Sequence, residues 1–295
     1  MCIWARCGLS RVLVRCAESR ARAQMATLGA EGGLQLDLPI GVAADSFDVA
    51  RWPALFLEGL SVGAPPDALF SSGQSWGLPP MHPERDRRTG YAYLRRCLAH
   101  HAEHADVLRF DHAAGLERTF VVPDGADARE GVYIAQRRPE ELYALLTLAS
   151  HEHRCAIVGE DLGTVPIALT DAMRAHGLFR SFVTYFEWTE GGLSDADAAA
   201  FVSVGTHDLP MFAAWMNADD VQEWVRLGLL DDQAAEHQRA DRRDQVARLC
   251  ALLDVASSAP IEVHRALVTR LSARPHARLV VAFEDLLGES VPQNV

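Results

Sequence analysis

The stretch Val107-Leu108-Arg109-Phe110-Asp111-His112 decides the fold that we predict for this chain. It is a short apolar run that ends abruptly in charged residues. This pattern is typical of a buried strand that delivers polar side chains, here Arg109, Asp111 and His112, to a site. Asp111 is therefore the first candidate functional residue.

Five other runs share this design, because each is apolar and each ends in a carboxylate: residues 34–37, 156–161, 182–187, 201–208 and 279–285. Such runs are too apolar for strands with one wet face, and helical patterns separate most of them. We therefore predict an α/β fold with a covered parallel sheet, either a barrel or an open doubly wound sheet. In a barrel, the strands' carboxyl ends meet at one mouth, where catalytic residues collect. The alternative for any single carboxylate is a helix cap or a solvated turn.

The composition is that of an ordinary globular protein, with 49% hydrophobic and 23% charged residues among 295. A net charge of −12 argues against a nucleic-acid or anionic-membrane partner and is compatible with a neutral polar substrate. No apolar run is long enough to predict a membrane span. The six cysteines include no CxxC pair, which favours a reduced, cytoplasmic protein.

The chain is predicted to comprise an N-terminal helical segment, residues 1–33, and a partial catalytic (β/α) barrel, residues 34–295. Six strands are evident, whereas a closed barrel has eight. Residues 52–89 are rich in Gly and Pro, which predicts a long irregular loop inserted after the first strand. Such connections are usually functional, and we expect this one to be a substrate loop. Within it, Trp76 offers an aromatic face for a sugar ring, and Gln74 offers an amide for its hydroxyls. The alternative is a tryptophan buried under a loop.

Three acids at strand ends, Asp111, Glu160 and Asp208, are predicted to face one mouth. Such a group suits a reaction through an oxocarbenium-like cation, and a retaining glycosidase needs a carboxylate nucleophile and an acid/base about 5–5.5 Å apart. Arg109, two residues before Asp111 on the same strand face, would keep that carboxylate ionised. Glu160, adjacent to Asp161 at the end of an apolar strand, is predicted to have a raised pKa.

Four motifs carry a resemblance to a known family: Leu108-Arg109-Phe110-Asp111-His112, Gly159-Glu160-Asp161-Leu162-Gly163, Gly205-Thr206-His207-Asp208 and Gly73-Gln74-Ser75-Trp76-Gly77-Leu78-Pro79-Pro80. In order and spacing they resemble the amylomaltases, the 4-α-glucanotransferases of glycoside hydrolase family 77, which are similar to the α-amylase clan. The resemblance covers roughly residues 25–290. Only about 33 residues precede the strand that resembles the family's third, so we expect a truncated member with an incomplete (β/α)8 TIM-type barrel.

The resemblance implies a role for each candidate residue. Asp111 would be the nucleophile, Glu160 the acid/base, and Asp208 the group that stabilises the transition state. The implied substrate-binding residues are Asp37, Gln74, Trp76, Arg109, His112 and His207. The implied substrates are maltodextrins, amylose or glycogen-derived oligosaccharides, with glucose or a maltodextrin as acceptor, and no metal or organic cofactor is expected.

Two alternatives stay open at the level of sequence. The first is a metal-dependent barrel hydrolase, with Asp111-His112, His207-Asp208 and Glu160 as ligands, or with the histidines of His100-His101-x-x-His104. The second is a catalytically inactive remnant or a sugar-binding protein.

Overall fold

Residues Val107–Phe110 form a largely buried strand, as predicted, in a computed structural model that describes residues 8–66, 72–163, 165–189, 192–276 and 278–291. The chain divides into two compact units, the first ending at Arg180 and the second beginning at Ser181. The sequence predicts one body over residues 34–295 and gives no signal for a division at this point. A single catalytic domain over residues 34–295 therefore remains a proposal.

The elements of the first unit are, in chain order, α1 (Gly8–Gly32), β1 (Gln35–Leu38), α2 (Phe47–Arg51), β2 (Leu60–Ala64), β3 (Gln74–Leu78), α3 (Pro83–Arg88), α4 (Ala92–Ala102), β4 (Val107–Phe110), β5 (Arg118–Pro123), β6 (Val132–Ala135), α5 (Pro139–His153), β7 (Ala156–Gly159), α6 (Ile167–Ala175) and the first residues of β8 (Phe179–Val183). Helix α1 lies within residues 1–33, the predicted N-terminal helical segment, of which residues 1–7 are outside the described residues.

The elements of the second unit are the remainder of β8, then β9 (Trp188–Thr189), β10 (Gly192–Leu193), β11 (Ala200–Ser203), α7 (Phe212–Asn217), α8 (Asp219–Arg226), α9 (Asp232–Leu253), α10 (Pro260–Ser272), β12 (Arg278–Val280) and α11 (Phe283–Leu287). Among the described residues, no helix combines the length and the apolar character needed to cross a bilayer.

The strands of the first unit confirm the predicted parallel pairing. Strand β1 pairs with β4, β4 with β7, and β7 with the start of β8, all parallel. Helices α4, α5 and α6 cover this sheet, and its core includes the fully buried side chains of Leu98, Leu108, Leu146 and Ile157. Burying each such side chain stabilises the fold by about 1.5–3 kcal/mol. Since the apolar side chains of these strands are covered, their runs are continuous rather than alternating.

The second unit has its own core around strands ordered β8-β11-β12. Strands β11 and β12 are parallel. Val202 on β11 is fully buried against side chains from α7, α9 and α10, among them Phe212, Leu249 and Leu267. Each unit therefore has a hydrophobic core that includes strand and helix side chains.

Three predicted strands end earlier than their carboxylates, since β11 also ends at Ser203, five residues before Asp208. Strand β8 ends at Val183, and a 3-10 turn, Thr184–Phe186, separates it from Glu187. Strand β12 ends at Val280, and Glu284 and Asp285 lie in the first turn of α11 instead. Acidic side chains are favoured there because they complement the positive end of the helix dipole, so these carboxylates belong to a helix start.

Residues 52–89 are not irregular throughout, which corrects the sequence-based prediction, and their role as a substrate loop stays a prediction. The segment contains β2, β3 and α3, and its strands belong to an antiparallel sheet of order β3-β2-β5-β6. Strand β2 pairs with β5, for example Val62 with Val121. This pairing is distant along the chain, so local Gly and Pro content gave no indication of it.

Gly63 allows β3 to approach β2. The register shifts between Val62 and Gly63, and a Cβ atom at Gly63 would lie 2.1 Å from the carbonyl oxygen of Gln74. No side chain fits at this distance. The backbone of β2 at Gly63 or that of β3, which carries Gln74 and Trp76, would have to move.

We expect Gly63→Ala to lower the free energy of unfolding by about 1–3 kcal/mol, because the added methyl overpacks a backbone contact. Urea unfolding measures the change. The control is Gly32→Ala, where nothing lies within 4 Å of the new Cβ, and it should change stability by less than about 0.5 kcal/mol. Equal effects of the two substitutions would contradict the steric explanation.

Candidate active site

Asp111 follows β4 directly and is held by the end of β1. Its backbone N–H donates to the carbonyl of Leu38 (3.1 Å), and its Oδ2 accepts a hydrogen bond from the backbone N–H of Ile40 (3.2 Å). The side chain is 26% exposed. The carboxylate is therefore fixed by backbone groups but remains accessible.

Arg109 bridges two carboxylates of the predicted site. Its Nη1 lies 2.7 Å from Oδ1 of Asp111 and 2.8 Å from Oδ2 of Asp37. Burial lowers the pKa of Arg109, but Asp111 and Asp37 oppose that effect and the pKa is raised overall. The guanidinium is thus a permanent cation beside Asp111, in the position that the sequence predicts. Asp37 lies opposite Arg109 in the β1–β4 register.

Glu160 follows β7 directly, on the strand next to Asp111. Phe110 and Gly159 are register partners, so Asp111 and Glu160 occupy the next positions on strands that lie about 4.8 Å apart. One oxygen of Glu160 accepts from the backbone N–H of His112 (3.0 Å) and the other from that of Leu162 (3.1 Å). The parallel register therefore brings the two predicted catalytic carboxylates together.

Burial raises the pKa of Glu160 to about 7. Arg109 opposes this effect, the charge of Asp111 adds to it, and the two backbone N–H donors lower the pKa slightly. The raised pKa predicted from sequence is confirmed, but Asp111 rather than the adjacent Asp161 is the like charge. Asp161 is instead buried in an ion pair with Arg180.

His112 and Trp76 lie together at this site. Their rings meet edge to face with centroids 5.6 Å apart. His112 has φ 46° and ψ 60°, a left-handed conformation that is uncommon for residues other than glycine and often occurs at functional sites. Burial lowers the pKa of His112, although Asp111 opposes the effect. Gln74 and Trp76 are both partly buried positions of β3.

A cavity of about 510 Å³ in the first unit includes Asp111 and His112 in its lining. Leu38, Pro39 and Trp52 also line it. Its volume is within the range of small-molecule sites, about 300–1,000 Å³. Asp111 is thus accessible from a space that could hold part of a ligand.

Asp208 and His207 lie in the second unit, on the segment after β11. Both side chains are exposed, and His207 Nε2 lies 3.4 Å from Asp208 Oδ2. The backbone N–H of Asp208 donates to the hydroxyl of Thr206 (3.3 Å). The sequence-based grouping of Asp208 with Asp111 and Glu160 stays a prediction.

Within the described ranges, no group of three or more His, Cys, Asp or Glu side chains is arranged to hold a metal ion. The His100 ring contacts those of His101 and His104, and His100 Nδ1 lies 3.2 Å from the guanidinium of Arg22.

No sequence pattern identifies the backbone donors that hold the two carboxylates. Ile40 binds Asp111, and Leu162 and His112 bind Glu160, through main-chain N–H groups. Every residue except proline carries such a group, so only the local backbone geometry identifies these contacts.

The fold and the site define a class: an α/β protein with two carboxylates on neighbouring parallel strand ends, one of which titrates near neutral pH. The model of the 4-alpha-glucanotransferase family, glycoside hydrolase family 77, matches residues 12–295. The chain therefore belongs to the 4-α-glucanotransferase family.

Similar proteins agree with this assignment. The chain is 32% identical over 284 residues to a 4-alpha-glucanotransferase of Haemophilus influenzae, covering 90% of this chain and 40% of the relative. It is 31% identical over 296 residues to one of Mycobacterium bovis, covering 93% and 40%. The chain thus spans about two fifths of the length of these relatives.

Solved structures confirm the fold class. The amylomaltase from Corynebacterium glutamicum superposes with a TM-score of 0.82 at 28% identity, covering 94% of this chain and 42% of that one. The amylomaltase from Streptococcus agalactiae in complex with acarbose gives 0.70 at 20% identity, covering 88% and 49%. The predicted fold, an incomplete α/β barrel of the TIM type, is therefore confirmed.

We expect Asp111→Asn to lower the pKa of Glu160 from about 7 towards the ordinary value of about 4.3. The substitution removes a negative charge that disfavours ionisation and leaves the cation of Arg109 in place. Carboxyl-labelled NMR titration measures the pKa. Asp124→Asn, in an exposed turn, is the control and should change nothing. An unchanged pKa in Asp111→Asn would show that the two carboxylates are not coupled.

Proposed function

We propose that this chain carries the active centre of a 4-α-glucanotransferase, which transfers an α-1,4-glucan segment to the 4-hydroxyl of glucose or a maltodextrin. One observation carries the proposal: Asp111 is paired with the partly buried Arg109, while Glu160 on the adjacent strand has a pKa of about 7. A retaining mechanism needs these two states, an ionised nucleophile and a carboxylic acid that holds a proton.

In the first half of the proposed reaction, a carboxylate oxygen of Asp111 attacks the anomeric carbon of the donor. The bond between that carbon and the glycosidic oxygen breaks, and the proton of Glu160 moves to the leaving 4-oxygen. In the second half, the acceptor 4-hydroxyl gives its proton to Glu160. The acceptor's 4-oxygen displaces Asp111 from the anomeric carbon. Asp111 is then ionised and Glu160 protonated, as at the start.

We assign the remaining predicted residues to the substrate. Asp208 stabilises the positively charged transition state through the sugar hydroxyls. Arg109, bridging Asp37 and Asp111, orients the nucleophile. The substrate contacts are Asp37, Gln74, Trp76, His112 and His207. The edge-to-face contact of Trp76 with His112 supports a place for the tryptophan beside the reacting ring.

We further propose that the substrates are maltodextrins, amylose or glycogen-derived oligosaccharides with glucose, and that the protein is cytoplasmic. The family assignment supports the glucan substrates. Cys16, Cys97, Cys155 and Cys250 are free thiols, which supports a reducing compartment.

The direct test is to incubate the full chain with maltotriose and separate the products. We expect glucose together with maltodextrins longer than the substrate. Asp111→Asn should lower the transfer rate by at least about 10³-fold, because the nucleophile is lost, and Asp124→Asn should leave it unchanged. Glucose without longer products would identify a hydrolase. Binding of maltotriose without any turnover would favour a sugar-binding protein.

Dialysis against a chelator should leave the transfer rate unchanged within error, since the proposed steps use only carboxyl groups and an arginine. The rate is measured with maltotriose before and after dialysis. A loss that added Zn²⁺ or Mg²⁺ restores would favour the metal-dependent alternative.

A further inference from the structure

Residues 204–211, which we call the Asp208 segment, connect β11 to α7 and carry His207 and Asp208. Both of these side chains are exposed, so they provide little packing that could hold the segment in place. Contacts at its two ends therefore help to set its conformation, beside the internal hydrogen bonds that Asp208 and Leu209 donate to Thr206. Three side chains of the second unit supply these contacts: Thr184, Tyr185 and Asp285.

Tyr185 contacts both the beginning and the end of the segment. Its hydroxyl donates a hydrogen bond to the carbonyl of Pro210 (3.2 Å). A Cβ atom at Gly205 would lie only 3.1 Å from the Tyr185 ring, so the backbone at Gly205 passes directly against that ring. One aromatic side chain therefore touches the segment on either side of Asp208.

The Tyr185 ring is itself held in place. It stacks on Trp215, with centroids 4.9 Å apart and an interplanar angle of 11°. The guanidinium of Arg242 lies 4.9 Å from the centre of the Trp215 ring, donates to the Trp215 carbonyl (2.6 Å) and pairs with Asp220 (2.9 Å). Tyr185 thus rests on a stack that ends in a paired cation.

Two more contacts fix the backbone on either side of the segment. The hydroxyl of Thr184 donates to the carbonyl of Ser203 (2.9 Å) at the end of β11. Oδ1 of Asp285 accepts from the backbone N–H of Phe212 (2.7 Å) at the start of α7. Asp285 is 4% exposed, and its other oxygen lies 3.9 Å from Nε2 of His264. A buried carboxylate with these contacts defines where α7 begins.

We propose that Tyr185 and Asp285 are positioning residues, which fix the two ends of the Asp208 segment and thereby set the place of the Asp208 carboxylate. Neither residue needs to touch the substrate. The consequence for catalysis rests on the proposed function, because there Asp208 acts on the transition state. Loss of either anchor should then lower kcat more than it raises KM.

The test measures both the position of the Asp208 segment and the glucanotransferase activity of the chain. Placement is followed by the NMR signal of the His207 ring, identified by its loss in His207→Gln. Activity is the conversion of maltotriose. Tyr185→Phe removes only the hydroxyl that binds Pro210 and keeps the stack on Trp215. Its control is Tyr143→Phe, which removes a buried hydroxyl that binds Glu117 (2.8 Å) in the first unit.

We expect Tyr185→Phe to shift the His207 signal and to lower kcat by about 3- to 10-fold, the effect of one hydrogen bond, with KM nearly unchanged. Tyr143→Phe should leave the His207 signal in place. Asp285→Ala should shift the signal as well. Asp285→Asn, whose amide oxygen can still accept from Phe212, should restore it and so separates anchoring from a general loss of folding.

The inference is overturned if neither Tyr185→Phe nor Asp285→Ala shifts the His207 signal from its position in the control Tyr143→Phe. The two proposals are distinguishable, because the parent chain's conversion of maltotriose decides the proposed function. The His207 signal decides the placement whether or not the chain turns over.

Discussion

The ion pairs of Arg109 with Asp37 and Asp111 are the constraint on which the proposed site depends. They join neighbouring strands, since Asp37 lies on β1 and Arg109 on β4. Burying a guanidinium is costly unless it is paired, and this one is only 14% exposed. The pairing therefore fixes the register of the strand ends as well as the charge beside Asp111, and removing either carboxylate would leave the cation partly uncompensated.

The two neighbouring carboxylates differ because their surroundings differ. Asp111 lies against a cation and a backbone donor, whereas burial dominates the environment of Glu160 and raises its pKa. The parallel register places them side by side, and the burial of Glu160 gives the two carboxyl groups different environments, as the proposed roles require. Fold and chemistry are linked here, because a one-residue slip of β7 against β4 would move Glu160 away from Asp111 and reverse the faces of the strand.

The sequence predicted the parts of the structure that depend on local pattern. Buried strands in a covered parallel sheet must be continuous apolar runs, which is why β4 and β7, with Asp111 and Glu160 after them, could be placed in advance. The sheet formed by β2, β3, β5 and β6 could not be predicted in this way. Strand β2 pairs with β5, which is distant along the chain, and Gly63 is required by a contact with Gln74. Asp285 was misplaced for a similar reason: an apolar run followed by acids fits both a strand end and a helix start. The role of Tyr185 depends on three-dimensional proximity to Gly205 and Pro210.

The two backbone donors on Glu160 have a consequence for the movement of its proton. Each carboxyl oxygen has two lone pairs, and the N–H groups of His112 and Leu162 occupy one on each oxygen. A free lone pair remains on either oxygen, so a proton can arrive or depart without breaking either bond. The turn after β4 and the chain after β7 can then keep the same shape in both protonation states, and no rearrangement of the backbone has to accompany the exchange.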